Sequence, residues 1–194
     1  MGAAGWDTGA LNNPVQASAF NPRDFRNALG RFASGVTVIT VHHEDHTHGM
    51  TANAFTSVSL EPPLVLVSLD NRSNMHRILP VVRRYGVSVL AEHQEALSNH
   101  FAGKTAPGVE AGFTMRDGIP LLNGAVANLI VEVTEVHPAG DHTLYLGRVT
   151  HLEWNDGRPL LFFAGQYHHL RAHKGELGEP VSSLFSIGGF DSKL

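Results

Sequence analysis

Short runs of β-branched and apolar residues, separated by turn residues, limit this chain to a mainly β architecture. The runs are Gly35–Val41, His48–Leu60, Leu64–Leu69, Gly86–Leu90, Ala125–Val136, Thr143–Glu153 and Leu160–Phe163. Several are apolar on both faces, which is typical of strands that fill a barrel on one side and are covered by helices or a second subunit on the other. We therefore predict a mainly β fold with short α-helices, closed or nearly closed into a barrel.

A helix is predicted to precede the strands. Asn21 is a favoured N-cap residue, and Pro22 suits the first helical position. Gly35 is predicted to end this helix. Its apolar positions share one face and are Phe25, Ala28, Leu29 and Phe32.

Two more helices are predicted between the strands. One opens at Ser73, and Pro80 is expected to kink or end it. Its inward-facing residues are Met75, Ile78, Leu79 and Val82. The other lies around His93–Phe101. Residues 103–118 contain four Gly and one Pro and are predicted to form a long surface loop, a class of segment that is often functional.

Composition defines one domain and excludes several classes of function. The chain has 194 residues, of which 42% are hydrophobic, so one domain is expected over 20–170, between a flexible arm at 1–19 and a tail at 171–194. A net charge of −4 without a Lys/Arg cluster argues against a nucleic acid as binding partner. The absence of Cys excludes disulfides and thiolate chemistry. No apolar run approaches the roughly 20 residues of a membrane span, so we expect a cytoplasmic protein.

The segment Gly49–Pro63 (GMTANAFTSVSLEPP) carries the most chemical information. Small and hydroxylated residues occupy most of it, where a strand is normally bulkier. Such residues let a flat ligand approach the backbone and offer hydrogen-bond donors to it. The donors are Thr51, Asn53, Thr56, Ser57 and Ser59. Taken by itself, the same pattern also fits an edge strand with a polar outer face.

Several spaced motifs together resemble the flavin reductase family of split-barrel proteins. FxxxxGxFxSGVTVIT spans Phe25–Thr40 and GMTANAFTSVSLEPPLVLVSL spans Gly49–Leu69. Four further segments follow in the family's order and extend the resemblance over about residues 20–170. They are GVSVLAEHQEALSNHFAGK at Gly86–Lys104, GIPLLNGAVANLIVEV at Gly118–Val133, GDHTLYLGRV at Gly140–Val149 and RPLLFFAGQYHHL at Arg158–Leu170.

The resemblance implies an FMN-binding split β-barrel, usually a homodimer with flavin near the subunit boundary. Such a protein reduces FMN or FAD with NADH or NADPH and supplies a partner monooxygenase with reduced flavin. By position, the residues that would line the isoalloxazine ring and the ribityl chain are Thr51, Ala52, Asn53, Ala54, Phe55, Thr56, Ser57, Ser59 and Leu60. Ser73 and Asn74 would lie near the flavin phosphate, and Phe101 to Lys104 would close that side, with Lys104 as countercharge.

The resemblance also implies a nicotinamide pocket. His142, in the GDH segment, matches the position that faces the nicotinamide, and Tyr167 matches the residue that closes the same pocket. Taken alone, His142 fits a polar residue in a β-turn better, and only the resemblance favours the nicotinamide role. No GxGxxG fingerprint is present, so an extended dinucleotide on a Rossmann domain is not expected.

Other functions remain open at this point. A split-barrel protein could bind flavin or haem without turnover, because fold does not determine function. An oxidase acting on a phosphorylated vitamin would need a cluster of Arg and Lys side chains to bind the substrate phosphate, whereas the candidate arginines are scattered along the sequence. These are Arg72, Arg77, Arg83 and Arg84.

A histidine-rich segment lies between two predicted strands, at His42, His43, His46 and His48. It lacks HExxH or a similar ligand pattern, so we expect a solvated turn and no metal site.

Overall fold

The computed structural model describes residues 20–104 and 106–171. The arm predicted at 1–19 and all but the first residue of the tail predicted at 171–194 lie outside the described residues. The described helices are α1 (Pro22–Leu29), α2 (Asn74–Val82) and α3 (Glu95–Phe101). The strands are β1 (Ser34–Gly35), β2 (Thr37–His43), β3 (His46–Ala52), β4 (Phe55–Ser59), β5 (Leu64–Asp70), β6 (Arg84–Val89), β7 (Phe113–Arg116), β8 (Ile119–Leu122), β9 (Ala127–Ala139), β10 (His142–Trp154), β11 (Leu160–Phe163) and β12 (Gln166–His169).

Seven strands form one antiparallel sheet with the order β3-β2-β6-β9-β10-β5-β4. Its two edge strands, β3 and β4, are consecutive in the chain and are joined only by Asn53 and Ala54. Because so short a link spans only about 10 Å, the sheet must curl until its edges meet. The edges do not pair with each other, so the barrel stays open between them. This confirms the predicted mainly β split barrel, and of the two expected forms, closed or nearly closed, the structure has the nearly closed one.

The break between β3 and β4 corrects the prediction of one continuous strand over His48–Leu60. Asn53 lies outside both ladders, and the Ala54 carbonyl accepts a hydrogen bond from the Ser68 amide of β5 at 3.0 Å. The segment therefore leaves one edge of the sheet and rejoins it at the other. A pattern of small residues along the chain cannot show this change of partner.

Two small sheets complete the fold. One has the order β1-β11-β12, and the other pairs β7 with β8. Strand β7 occupies the end of the segment predicted as a loop over 103–118, and β12 has the polar sequence QYHH. Both strands are four residues long and lack a sustained apolar period, so periodicity did not indicate them.

Buried side chains lie on both faces of the curled sheet and form three clusters. The largest cluster includes Ile39, Leu69, Leu79, Tyr85 and Tyr145. The second includes Val38, Leu90, Leu122 and Leu160, and the third consists of Ile119, Leu121 and Ile130. Helix α2 covers one end of the barrel and buries Met75, Ile78 and Leu79, as predicted.

Pro80 does not end α2, which continues to Val82. Proline removes the amide that would bond the His76 carbonyl four residues earlier. The Tyr145 hydroxyl of β10 donates to that carbonyl at 3.4 Å and lies 2.8 Å from the His76 Nδ1. The helix therefore tolerates its proline because a strand side chain faces the freed carbonyl.

Helix α1 begins as predicted, with the Asn21 side chain accepting a hydrogen bond from the Arg23 amide at 2.9 Å. It ends at Gly30, whose amide bonds the Arg26 carbonyl at 2.8 Å, so the end predicted at Gly35 is wrong. No residue of α1 is buried, and its apolar face is open to solvent in the single chain. Among the described residues, no helix is long and apolar enough to cross a membrane.

Candidate functional site

A cavity of about 230 Å³ lies where β3 leaves the open barrel. We call it the barrel-opening cavity. Its lining residues are Val36, Thr51, Asn53, Ser98, Asn99, Ala102, Lys104, Phe162, Gly165 and Tyr167. Four of them were predicted for the site, namely Thr51, Asn53, Lys104 and Tyr167. The structure thus brings together residues that lie up to 116 positions apart in the sequence, from Thr51 to Tyr167.

Hydrogen bonds join α3 to two strands around this cavity. The Thr51 hydroxyl of β3 donates to the Ser98 carbonyl at 2.7 Å. The Ser98 hydroxyl lies 2.8 Å from the Tyr167 hydroxyl of β12, which also donates to Asn99 Oδ1 at 3.4 Å. Because Ser98 is fully buried, these bonds hold α3 against both strands. The wall of the cavity is therefore preorganised.

Two grooves extend from the barrel opening along α1. One, of about 600 Å³, runs between α1 and the β11–β12 turn and includes Phe162 and Gly165. The other, of about 450 Å³, lies between the end of α1 and β5. Its lining residues are Leu29, Phe32, Ser34, Asn53, Ala54, Phe55, Thr56, Leu66 and Ser68. Asn53 lines both grooves and the barrel-opening cavity. The three spaces therefore meet at the break between β3 and β4.

A further cavity of about 380 Å³ lies on the other side of the end of α3, and we call it the second cavity. Its lining residues are Thr47, His48, Gly49, Met50, Asn74, Met75, His100, Phe101 and Gly103. Asn74 and Phe101, predicted near the flavin phosphate, lie here. A Cβ on Gly49 would come within 2.5 Å of the Phe101 ring, so this glycine accommodates a side chain of the same chain.

The other predicted residues of this segment have different surroundings. Ala52 belongs to the buried core. The Ser73 hydroxyl accepts a hydrogen bond from the His76 amide at 3.1 Å and caps α2. Ser57, Ser59 and Leu60 lie on or just after β4 and are not among the residues lining the four spaces described above.

His142 opens β10 and pairs in register with Asp70 at the end of β5. Its Nδ1 lies 2.8 Å from the Asp141 carboxylate, and this hydrogen bond lowers the pKa of Asp141. Hydrogen bonds from Arg72 hold the pKa of Asp70 well below its usual range. His142 is not among the residues that line the barrel-opening cavity. Its register partner Asp70 lies two residues beyond Ser68 on β5, and the Ser68 amide donates to the Ala54 carbonyl at the barrel opening. The single chain therefore does not place His142 and Tyr167 in one of the spaces described above.

Sequence reasoning missed three contributors to the site. Ser98 provides the buried hydroxyl that fixes Tyr167, and Phe162 and Gly165 line the barrel opening. All three lie inside segments that resemble the family, but no local pattern indicated a role for them.

The histidine-rich segment forms the tip of the β2–β3 hairpin. The His48 ring lies 6.4 Å from the His43 ring and 6.5 Å from the His46 ring. Within residues 20–104 and 106–171, no three His, Asp or Glu side chains are grouped to hold a metal ion.

Known proteins resemble the chain in both sequence and structure. The family model of the flavin reductase like domain matches residues 29–171. An NADH-dependent flavin reductase from Rhodococcus sp is 51% identical over 152 residues, which cover 77% of this chain and 86% of that protein. The reductase component of a Thermus thermophilus 4-hydroxyphenylacetate 3-monooxygenase is 40% identical over 147 residues, 75% of this chain and 95% of that protein.

Solved structures show the same fold. The flavin reductase PheA2 superimposes with a TM-score of 0.77 at 44% identity, covering 79% of this chain and all of that one. The Streptomyces globisporus NADH:FAD oxidoreductase SgcE6, in complex with NAD and FAD fragments, gives a TM-score of 0.73 at 34% identity, covering 82% of this chain and all of that one. Because the family model spans most of the chain and the open barrel is that of these reductases, the protein belongs to the flavin reductase like domain family.

Proposed function

We propose that the protein is an NADH:flavin oxidoreductase that reduces FMN or FAD and supplies the reduced flavin to a partner monooxygenase. The observation that carries this proposal is the barrel-opening cavity, in which Thr51, Asn53, Lys104 and Tyr167 converge. Relatives named as NADH-dependent flavin reductases and as monooxygenase reductase components support it.

The residues around the barrel opening fit a flavin. Thr51 and Tyr167 offer hydroxyls, Asn53 offers an amide, and the groove of about 450 Å³ has mainly apolar walls. A flat ring system with polar edges needs this combination of apolar walls and a few fixed polar groups. Lys104 is exposed at one end of the cavity, where its charge would pair with the flavin phosphate.

The protein's own part in the reaction is positioning. When bound, the nicotinamide and the flavin supply the hydride chemistry between them, so no side-chain nucleophile is required. The hydroxyl of Tyr167 is held by Ser98, which keeps the cavity wall in place while the two rings stack. His142, oriented by Asp141, would face the nicotinamide and hold it in line with the flavin.

We further propose that the working unit is a homodimer in the cytoplasm, where NADH is supplied. An exposed apolar surface on α1 and the turn after it supports a second copy, because Phe25 and Leu29 of α1 are 55% and 59% exposed and Phe32, just beyond the helix, is 83% exposed. A helix of eight residues with no buried side chain gains its stability from packing against another surface. A dimer that covers α1 would also cover the grooves leading to the barrel opening. Sedimentation should show a dimer, which Phe32→Glu should dissociate.

The decisive assay follows NADH consumption by the purified chain with FMN or FAD in air. We expect consumption that requires added flavin, and transfer of reduced flavin to a flavin-dependent monooxygenase present in the same mixture. The matched variants are Thr51→Val, which removes a cavity hydroxyl, and Thr150→Val, which removes a hydroxyl of β10 that does not line the cavity. Flavin quenching without NADH consumption would instead indicate a flavin-binding protein without turnover.

A further inference from the structure

The last part of β10 forms a free edge of the large sheet. Strand β10 pairs with β5 from His142 to Arg148, and the Val149 amide donates to the Pro63 carbonyl at 3.0 Å. From Thr150 to Trp154, β10 pairs only with β9 among the described strands. The backbone groups on the other side of this stretch are therefore available to a further strand.

Two large apolar side chains lie on the same stretch. Leu152 and Trp154 are 60% and 67% exposed. They share one face of β10, because they are two residues apart and their register partners on β9 are Leu129 and Ala127, with no bulge between them. Leu129 packs against the largest core cluster, so Leu152 and Trp154 continue that apolar face beyond the point where β5 ends. Native proteins normally protect or cover such an edge.

A free stretch of β9 shows what a protected edge looks like in this fold. Thr134–Ala139 has no partner on β6, because β6 pairs with β9 only as far as Glu132. This stretch contains Pro138, together with Glu135 and His137, whose side chains lie 2.8 Å apart. Proline and charged side chains oppose the addition of a strand. The free edge of β10 contains no proline and exposes apolar side chains, which favours a cover over it.

We propose that the segment Val181–Ile187 of the same chain covers this edge as an added strand. Its apolar side chains would bury Leu152 and Trp154, and its backbone would bond the free groups of β10. The segment lies outside the described residues. The match to the family model ends at residue 171, so the proposed contact belongs to this chain and not to the domain that the family shares.

The sequence of the segment, VSSLFSI, suits this position. Val181, Phe185 and Ile187 occupy alternate positions, and serines occupy most of the others. Pro180 precedes the segment and two glycines follow it. Alternation bounded by Pro and Gly is typical of a strand with one apolar face.

The described chain ends near this edge. His169 of β12 pairs with Leu160 of β11, and only five residues separate Leu160 from Trp154, a span of at most about 20 Å. The nine residues between Arg171 and Val181 reach up to about 30 Å when extended. The segment can therefore begin at the Trp154 end and run back along β10, antiparallel to it.

The fluorescence of Trp154 tests the contact in the full chain. The sequence has two tryptophans, so Trp6→Phe leaves Trp154 as the only one. In this background we expect Phe185→Asp to shift the emission to longer wavelength and to increase its quenching by acrylamide, because a charge cannot stay against the indole. Ser186→Asp adds the same charge on the opposite face of the segment and is the control, with an unchanged spectrum. A shift in neither variant, or an equal shift in both, would overturn the proposal.

Disulfide cross-linking identifies what covers the edge. The chain has no cysteine, so Leu152→Cys can be combined with one cysteine at each position of 181–187 in turn. We expect disulfides within one chain at the odd-numbered positions nearest Leu152 and none at the even-numbered ones. Leu152→Cys with Leu129→Cys, two register partners, is the positive control. Disulfides between two chains would assign the edge to a second copy, and cross-linking at every position or at none would show that the segment has no fixed place there. Neither measurement involves flavin or NADH, so its outcome is independent of the proposed function.

Discussion

The Ser98 hydroxyl lies 2.8 Å from the Tyr167 hydroxyl and joins α3 to β12 across the barrel opening. Ser98 is fully buried, and its carbonyl also accepts a hydrogen bond from the Thr51 hydroxyl. A helix and two strands that are distant in sequence therefore meet at one serine. The stability of the protein and the shape of the cavity depend on the same contact.

Removing either partner of this contact should destabilise the fold. We expect Ser98→Ala and Tyr167→Phe each to lower the free energy of unfolding by about 1 kcal/mol, the usual net value of one hydrogen bond. The double variant should lose little more than either single variant, because both remove one interaction. Urea denaturation measures all three. Strictly additive losses would show that the two hydroxyls do not bond each other.

Loss of the His142 ring should impair the use of NADH and spare flavin binding. We expect His142→Ala to lower kcat/KM for NADH roughly tenfold, which corresponds to about one lost hydrogen bond. His137→Ala is the matched control, because this exposed histidine also has a carboxylate neighbour, Glu135 at 2.8 Å. Steady-state kinetics and flavin titration separate the two steps. Unchanged NADH kinetics in His142→Ala would remove this residue from the nicotinamide site.

Neutralising Lys104 should weaken the binding of flavin phosphate. Lys104→Gln removes the charge and keeps a polar side chain that is only one atom shorter, so the expected rise of roughly tenfold in the FMN dissociation constant reports mainly the charge. The rise should shrink at high salt, and Lys104→Arg should restore binding. Lumiflavin, which has no phosphate, should bind both proteins equally. A matching loss for lumiflavin would indicate a change of cavity shape instead.

Ser57 tests whether the second subunit completes the flavin site. It is exposed on β4 and lies outside the barrel-opening cavity of its own chain. If the proposed dimer brings β4 to the flavin, Ser57→Ala should raise the flavin dissociation constant two- to threefold, or about 0.5 kcal/mol. Flavin titration at protein concentrations above the dimer dissociation constant measures this. Wild-type affinity in Ser57→Ala would exclude Ser57 from the site.

The two buried tyrosines of the barrel should respond differently to the loss of their hydroxyls. The Tyr145 hydroxyl lies 2.8 Å from His76 Nδ1, whereas the Tyr85 hydroxyl has no hydrogen-bond partner among the described residues. Tyr145→Phe should cost about 1 kcal/mol, and Tyr85→Phe should change the free energy of unfolding by less than about 0.5 kcal/mol. Thermal or urea denaturation near neutral pH distinguishes them.

Tyr85→Phe should also differ from the wild type in the pH dependence of its stability at alkaline pH. Burial raises the pKa of Tyr85, so the folded protein keeps this phenol protonated. In the unfolded chain a tyrosine ionises at about pH 10. The unfolded state therefore loses a proton that the folded state keeps, and wild-type stability should fall as the pH rises above about 10. Tyr85→Phe should show a smaller fall over the same interval, and an equal fall would contradict this assignment.

Much of the fold follows from local patterns in the sequence. Alternating and doubly apolar runs predicted the long strands, and Asn21 and Ser73 marked the starts of α1 and α2 correctly. Local sequence patterns gave the wrong prediction where a residue's role depends on a contact with a residue distant in the sequence. Pro80 lies inside α2 because Tyr145 faces the carbonyl that the proline frees, and Tyr145 is 65 residues further along the chain.

The sequence by itself determined the fold class, the residue types available for binding and, through spaced motifs, membership of the family, because these depend on periodicity and on the order of segments along the chain. Only the tertiary structure decided that Asn53 lies at the opening of the barrel and that Ser98 fixes Tyr167. It also divided the predicted flavin residues between two cavities, with Thr51 in one and Asn74 in the other. The physical reason is that the curled sheet brings its two edges together, and the contacts this creates leave no periodic trace in the sequence.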